Sequence, residues 1–554
     1  WYSNLVRFEI GRYITPYGIG LDLGPDGKTW YYDVTDYAPL LHDFVRLQSG
    51  NNQELHNLRF LMIKGEPARD VKRIQNVYDG NWSFVSIANG TNAAEKTLNL
   101  DPAASAYRLK TRTTGHGFNG AAGTNCAEFC ARDHSLNIDG QERFKWLLWD
   151  ECSYNPLGAQ GGTWIFDRAG WCPGEKVTTY DWELTPYVQP GADVDFDYEI
   201  DDQNRQPEGN WVLRTQLVSY GQPNHQLDIS IEDVVAPNSK LRHTRWNPIC
   251  GKPRIVIKNR GTDTLRSCMI TFGIKNNGLP CYFDWTGELG FLEEEEVELN
   301  RFTWDGAGSG LPAIFYAEVS MPNGQADGYD RNNYIESKFE IPPAYNGKVA
   351  VEFLTNRRNT ENQWYVYNSE GRQLRWERFF STSRLNVDTL DLEKGCYTFL
   401  LTDSGNDGLD FWYNRAQTGS GSLEFKDDRG RLLERFDPDF GGEIRHSFTI
   451  GYTVGLDDED DVACYPVGIR NELAALDFAI YPNPTEAGAT LTLSRALESA
   501  GTLKMYDAMG KLVLEKTAPA GSYHIDIEAN VGPGVYWLEL RSEQAVGQKT
   551  LVVK

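Results

Sequence analysis

The chain has 554 residues, too many for one hydrophobic core, and a spacing of about 150 residues per domain suggests three to four domains. A formal charge of −24 argues against a nucleic-acid groove, which needs a basic patch to displace counterions, and equally against electrostatic docking on anionic lipid. No apolar run approaches the roughly 20 residues of a membrane helix. Trp1 is not an initiating residue, so a signal peptide is expected to have been removed or the sequence to start late. Aromatic residues make up 12% of the chain, and 53 glycines and 25 prolines are spread through it. Short apolar runs such as Arg254–Ile257 and Tyr397–Thr402 lie between turn signals, which predicts an all-β, multi-domain protein.

In chain order, residues 1–215 are rich in aromatics and glycine. A second unit runs from Leu227 to Pro343 and contains the acidic cluster Glu293–Glu296 and the turn-rich Asn323–Asn333. Pro342 and Pro343 mark a linker, because each proline lacks a donor and extends the residue before it. A third unit spans Gly347–Tyr452. The acidic stretch Asp457–Asp461 then reads as a solvated hinge, since like charges repel and keep a segment extended. About 80 residues remain as a fourth unit.

The nine cysteines are Cys126, Cys130, Cys152, Cys172, Cys250, Cys268, Cys281, Cys396 and Cys464. Cys126 and Cys130 have zinc-like spacing, but no second close pair and no histidine pair completes a tetrahedral set, so disulfides are the expectation. An odd count leaves at least one cysteine free or paired outside the chain. A Cys250–Cys268 bridge is expected inside the second unit, and the pairing of Cys281, Cys396 and Cys464 is not readable.

Residues 5–190 carry Glu9–Tyr17 (EIGRYITPY), Tyr32–Leu40 (YDVTDYAPL), Ile63–Gly65, Arg112–Gly117 (RTTGHG), Asn125–Arg132 (NCAEFCAR), Cys152–Leu157 (CSYNPL) and Gly162–Gly174 (GTWIFDRAGWCPG). This stretch resembles the peptide-N-glycosidase F family, amidases that cleave asparagine-linked glycans. The resemblance implies two jelly-roll sandwiches side by side, over residues 1–85 (incomplete at the N-terminal side) and 86–220, with substrate in the cleft between them. It also implies disulfides Cys126–Cys130 and Cys152–Cys172. Glu128, inside a small ring of sulfur-linked chain, is the candidate catalytic carboxylate. Desolvation among Trp164, Trp171 and Phe129 would raise its pKa toward general-acid work. Arg168, Trp164, Trp171, His116 and Arg59 are the candidate substrate-binding residues, through a fork of donors, sugar-stacking rings and close approach.

Two departures leave activity open. The family's principal catalytic aspartate lies upstream of the EIGRYITPY-type segment, where this sequence has ten residues before Gly11 and no aspartate. A second cleft glutamate, counted back from Gly65, reads as Arg59. The sequence therefore supports either a glycan-binding or scaffold subunit of an outer-membrane surface assembly or an active amidase. No His-x-His pair supports the copper chemistry of related two-jelly-roll proteins.

Residues 221–343, with VVAPNSKL and IVIKNRGTDTL, resemble immunoglobulin-like adhesion modules. Residues 344–456, with GCYTFLLTDSGNDGL, GSGSLEF and DFGGEIRHSF, resemble an accessory β-sandwich of secreted Bacteroidota proteins. Within it, Asp403, Asn406 and Asp407 are candidate calcium ligands, although the loop lacks the later glutamate of an EF-hand. No cofactor is otherwise required. Residues 457–473 form the acidic linker. Residues 474–554, with FAIYPNPTEAGATLTLS, TLKMYDAMGKLVLEK, GPGVYWLELR and the terminal QKTLVVK, resemble the C-terminal sorting domain of type IX secretion cargo. That resemblance implies engagement of the type IX machinery and a position on the extracellular face of the outer membrane or outside the cell. The expected partners are a glycan or glycoprotein and an outer-membrane protein complex. Asp263-Thr-Leu and Asp388-Thr-Leu resemble the Bacteroidota O-glycosylation signal, which would make the chain a glycoprotein.

Overall fold

The computed structural model of the chain describes residues 6–18, 21–24, 27–50, 55–117, 126–201, 209–275, 280–302, 304, 307, 313–454, 474–486, 488–507, 511–528, 531–542 and 545–554. Cys464 and the acidic linker lie outside the described residues. Two compact units emerge, Trp1–Pro466 and Val467–Lys554. Nearly all regular structure is strand.

The sandwich that carries the family-like motifs has two four-stranded sheets. One runs Arg69–Ser83, Asn210–Pro223, Ala106–His116, Tyr180–Glu183, and the other Lys96–Asn99, Asp193–Ile200, Arg132–Ile138, Gln141–Leu148. Alternation makes these strands two-faced: Val194, Phe196, Tyr198 and Ile200 point inward while their neighbours face out. Leu100, Leu109, Leu136, Leu148, Phe196, Trp211 and Leu217 fill the space between the sheets. Each such side chain contributes about 1.5–3 kcal/mol on burial.

The boundary expected at 85/86 moves. Strand Arg69–Ser83 pairs antiparallel with Asn210–Pro223 along its whole length and so belongs to this sandwich. Among the described residues, 6–68 form no jelly roll. They contribute an isolated bridge from Tyr13 to Lys176 and a short turn of helix at Thr35–Leu40. The Glu9–Tyr17 segment is laced onto the sandwich instead. Ile14 N–H donates to Glu175 O over 3.0 Å, and Gly174 and Val177 N–H groups donate to Ile14 O and Arg12 O.

The next module is a seven-strand sandwich. Its sheets are Glu294–Glu298, Arg254–Asn259, Ile229–Ala236 and Cys281–Leu289, Leu265–Ile274, Ala313–Ser320, Tyr334–Phe339. The acidic cluster finds cations on the adjacent strand, Arg254–Glu296 at 2.7 Å and Lys258–Glu294 at 3.4 Å, and Lys252 in the loop before it pairs with Glu298 just beyond the cluster at 3.1 Å. The accessory sandwich follows, with a five-stranded sheet around Gly395–Asp403 and a four-stranded sheet around Val349–Leu354.

Cysteines 126 and 130 are bridged, as are 152 and 172. The expected Cys250–Cys268 pair is corrected: Cys250 bridges Cys396 in the accessory sandwich, and Cys268 is free and buried. Cys268 lies on strand Leu265–Ile274 with its thiol in the module's core, whereas Cys250 sits before strand Arg254–Asn259 against Phe448 O. Burial, then Asp284 and Glu295, pushes the Cys268 thiol up to about 12. Cys281 is also disulfide-bonded.

The second unit has its own core of Leu491, Leu503, Met505, Leu538, Leu540 and Leu551. Strand Gly534–Ser542 lies between Ala545–Val553 and Gly501–Tyr506, with alternate residues buried. Phe478–Tyr481, just before the proline pair, is an edge strand, where proline's missing donor does no harm.

Candidate functional site

Glu128 stands on a single helical turn, Cys126–Phe129, closed by the Cys126–Cys130 bridge. The turn is latched to the sandwich. Ala169 N–H donates to Glu128 O over 2.9 Å, and Gly115 N–H donates to Ala169 O over 2.9 Å. Only glycine fits at 115, because a Cβ there would lie 1.7 Å from Ala127 O.

The carboxylate meets Arg168, whose Nε donates to Glu128 Oε1 over 3.2 Å, and Gly117 N–H approaches Oε2 at 3.4 Å. The Arg168 side chain is 0% exposed and that of Glu128 12%. The guanidinium spends its other donors inside the protein, on Phe166 O, Thr163 O (2.8 Å), Thr163 Oγ1 (3.0 Å) and Tyr17 OH (3.3 Å). It also lies 4.8 Å over the Trp171 ring and 5.0 Å over Phe129. The expected substrate contact through Arg168 is thereby corrected: with no exposed surface, its guanidinium fixes the Glu128 carboxylate and cannot itself reach a ligand. Its partner is that glutamate rather than the adjacent Asp167, which accepts from Cys152 N–H.

The two tryptophans are corrected likewise. Trp164 is buried with its indole N–H donating to Asp439 Oδ1 over 3.1 Å, and Trp171 is buried with its indole N–H donating to Gly115 O over 2.8 Å. Neither offers a face to a sugar. His116 stacks on Trp171 at 5.3 Å, and its Nε2 lies 2.8 Å from Thr114 Oγ1, which also accepts from Arg12. Burial, then the charge of Arg12, pulls this imidazole down to about 4, so it is neutral at physiological pH. Arg59 lies exposed on a strandless stretch and, among the described residues, makes no hydrogen bond or ion pair with Glu128 or Arg168.

Sequence reasoning missed the aromatic edge beside this pair. Phe129 meets Phe166 edge-on at 6.4 Å, and Phe166 meets Tyr413 of the accessory sandwich at 5.5 Å. Trp412 next to it donates its indole N–H to Gly162 O over 2.5 Å. Both rings face outward, Trp412 53% and Tyr413 60% exposed. The signal was the run Phe411-Trp412-Tyr413, which chain distance separates from the motifs it touches.

The Asp403 loop lies in the same sandwich. An oxygen from each of Glu361, Asp403 and Asp407 lies within 4.8 Å of the others. Asn406 forms the turn between the two aspartates with φ 60° and donates its backbone N–H to Asp403 O.

Residues 86–218 match the family described as peptide-N-glycosidase F, C terminal, and residues 479–554 match the secretion system C-terminal sorting domain. Peptide-N(4)-(N-acetyl-beta-D-glucosaminyl)asparagine amidase F of Elizabethkingia miricola is 32% identical over 186 residues, 31% of this chain and 52% of that protein. The chain thus spans about half the length of this curated relative. The solved glycosylasparaginase PNGase F from Flavobacterium meningosepticum is 25% identical, covering 29% of this chain and 55% of that one, with a TM-score of 0.25. A peptide-N(4)-(N-acetyl-beta-D-glucosaminyl)asparagine amidase structure is 26% identical over 39% of this chain and 74% of its own, with a TM-score of 0.30. Among the described residues, no helix is long and apolar enough to cross a membrane. The chain carries a domain of the peptide-N-glycosidase F C-terminal family and a secretion-system sorting domain, and is a secreted or cell-surface protein.

Proposed function

We propose that the protein acts at the outer-membrane surface as a glycan-binding or scaffold subunit, with Glu128 and the aromatic edge beside it forming the contact for sugar. The observation that carries this reading is the outward-facing pair Trp412 and Tyr413, set against Phe166 at the flank of Glu128. Sugar rings present C–H faces that stack on aromatic side chains, and their hydroxyls donate to carboxylates. Arg168 holds the Glu128 carboxylate in one place, which suits an acceptor that recognises a hydroxyl by geometry.

The family match over residues 86–218 favours a second reading, an amidase that releases N-linked glycans. That chemistry needs a carboxylate to activate water and a group to help the amide nitrogen leave. Against it, Glu128 is ion-paired to Arg168, and among the described residues no second carboxylate bonds to either.

Binding of a denatured N-glycoprotein, beside a released-glycan assay, separates the two. Trp412→Ala and Tyr413→Ala should each weaken binding about tenfold, the worth of one stacked ring. Glycan release by the parent protein, absent in Glu128→Gln, would overturn the binding-only reading. A protein that neither binds nor releases glycan would overturn both.

A further inference from the structure

The acids at the base of the accessory sandwich's aromatic loop do no work in the site described above. Glu361, Asp403 and Asp407 converge within 4.8 Å, and among the described residues this is the one group of three such side chains that does. Among the described residues their only ion-pair partner is exposed: Arg358, 3.3 Å from Glu361 Oε1.

Two buried oxygens at this spot have no donor, Asp407 Oδ1 and Asn362 Oδ1. Asn362 is 1% exposed, and its amide faces the cluster, Nδ2 lying 3.2 Å from Asp403 Oδ1. Turning that amide over would place its oxygen beside the Asp403 oxygen, at the spacing neighbouring ligands take around one cation. Buried polar atoms nearly always find a partner. Asp403 accepts from the Asn362 amide and from the N–H groups of Gly405 and Asp407, but none of these donors carries a charge to offset three clustered carboxylates.

We propose that Glu361, Asp403 and Asp407, together with the Asn362 side-chain oxygen, bind a calcium ion. All four donors are hard oxygens, the set calcium takes. Calcium–oxygen distances of about 2.3–2.6 Å allow ligands up to about 4.6–5.2 Å apart, so oxygens that all lie within 4.8 Å of one another can share one ion. Magnesium demands a tighter octahedron at about 2.0–2.1 Å and keeps its waters. The ion would fasten the root of the aromatic loop. Asn414 donates its side-chain amide to Asp407 Oδ2, and the N–H groups of Leu409 and Asp410 both donate to Pro438 O. Phe411, Trp412 and Tyr413 lie between those anchors. The binding step is independent of the glycan reading.

The test uses the full chain stripped with EDTA, then titrated with calcium or magnesium by calorimetry and followed by thermal unfolding. Expected is one calcium site, with a dissociation constant of about 10⁻⁵–10⁻³ M as in extracellular modules, and a rise of several degrees in the accessory sandwich's unfolding midpoint. Asp407→Asn should weaken binding at least tenfold while leaving the EDTA midpoint unchanged or higher, because it relieves repulsion. Glu361→Gln serves as the second variant if the first misfolds. Absence of heat and of a midpoint shift at about 10 mM calcium, or a larger response to magnesium, would overturn the proposal. So would a midpoint lowered equally with and without calcium in both variants.

Discussion

Arg168 Nε lies 3.2 Å from Glu128 Oε1, with the arginine wholly buried and the carboxylate nearly so. Removing one partner of a buried pair leaves the other charge uncompensated, and that loss exceeds what the pair contributes when intact. Arg168→Met should therefore destabilise the family-like sandwich by about 3–5 kcal/mol. Arg168→Lys should recover less than half, because a lysine cannot reach Glu128, Phe166, Thr163 and Tyr17 together. Denaturant unfolding followed by tryptophan fluorescence measures both; an unchanged midpoint in Arg168→Met would refute the positioning role.

Asp150 trades backbone hydrogen bonds with Arg168 in both directions, at 2.8 and 3.1 Å. Burial, then Glu175, pushes its carboxyl up from 3.8 to about 6. A folded-state pKa above the unfolded one means that the folded protein prefers the proton. The stability this group contributes is full below pH 3.8 and is lost as pH rises through about 6. Asp150→Asn should then be stabilising by about 1–3 kcal/mol above pH 7 and neutral near pH 4. Unfolding midpoints of the two proteins across that range check the sign.

The Cys250–Cys396 bridge predicts a specific thiol pattern. In the folded, oxidised protein a maleimide reagent should leave Cys268 unlabelled, since it is buried and its thiol is held protonated. Non-reducing peptide mapping should recover 250 linked to 396. The double serine variant should lose about 2–5 kcal/mol, read as a lower unfolding midpoint. Recovery of a peptide linking 250 to 268 would contradict the structure.

Strand Ala545–Val553 closes the sorting domain against Gly534–Ser542 and buries Leu551 and Val553. Deleting residues 545–554 uncovers Leu540 and leaves an open edge. The truncated chain should fail to reach the cell exterior, judged by protease accessibility on intact cells. Normal delivery would separate the folded unit from its sorting role.

Much of this architecture was legible because strand alternation is local. The apolar runs Arg254–Ile257 and Tyr397–Thr402 both fall on strands, and the terminal motif string placed the sorting domain. Strand Arg69–Ser83 was not legible, since its burial does not alternate and its bulges shift the register. Residue type pointed to Trp164 and Trp171 as sugar platforms, but type cannot tell a ring in the core from one at the rim. The rings that do face outward, Trp412 and Tyr413, meet Gly162 and Phe166 from about 250 residues away in the chain. Cys250 found Cys396 across two modules for the same reason: spacing reports neighbours along the chain, not across an interface.

That sulfur link has a mechanical consequence. The residues between 250 and 396, a separation of 146, form a closed covalent loop. Tension pulling the two ends of the polypeptide apart passes from one cysteine to the other and leaves the enclosed stretch unloaded. A protein displayed outside the cell and exposed to flow can therefore be stretched without extending strands Leu265–Ile274 or Val349–Leu354, and shear should first open segments outside the loop: the sorting unit, the family-like sandwich or the accessory strands that follow Cys396.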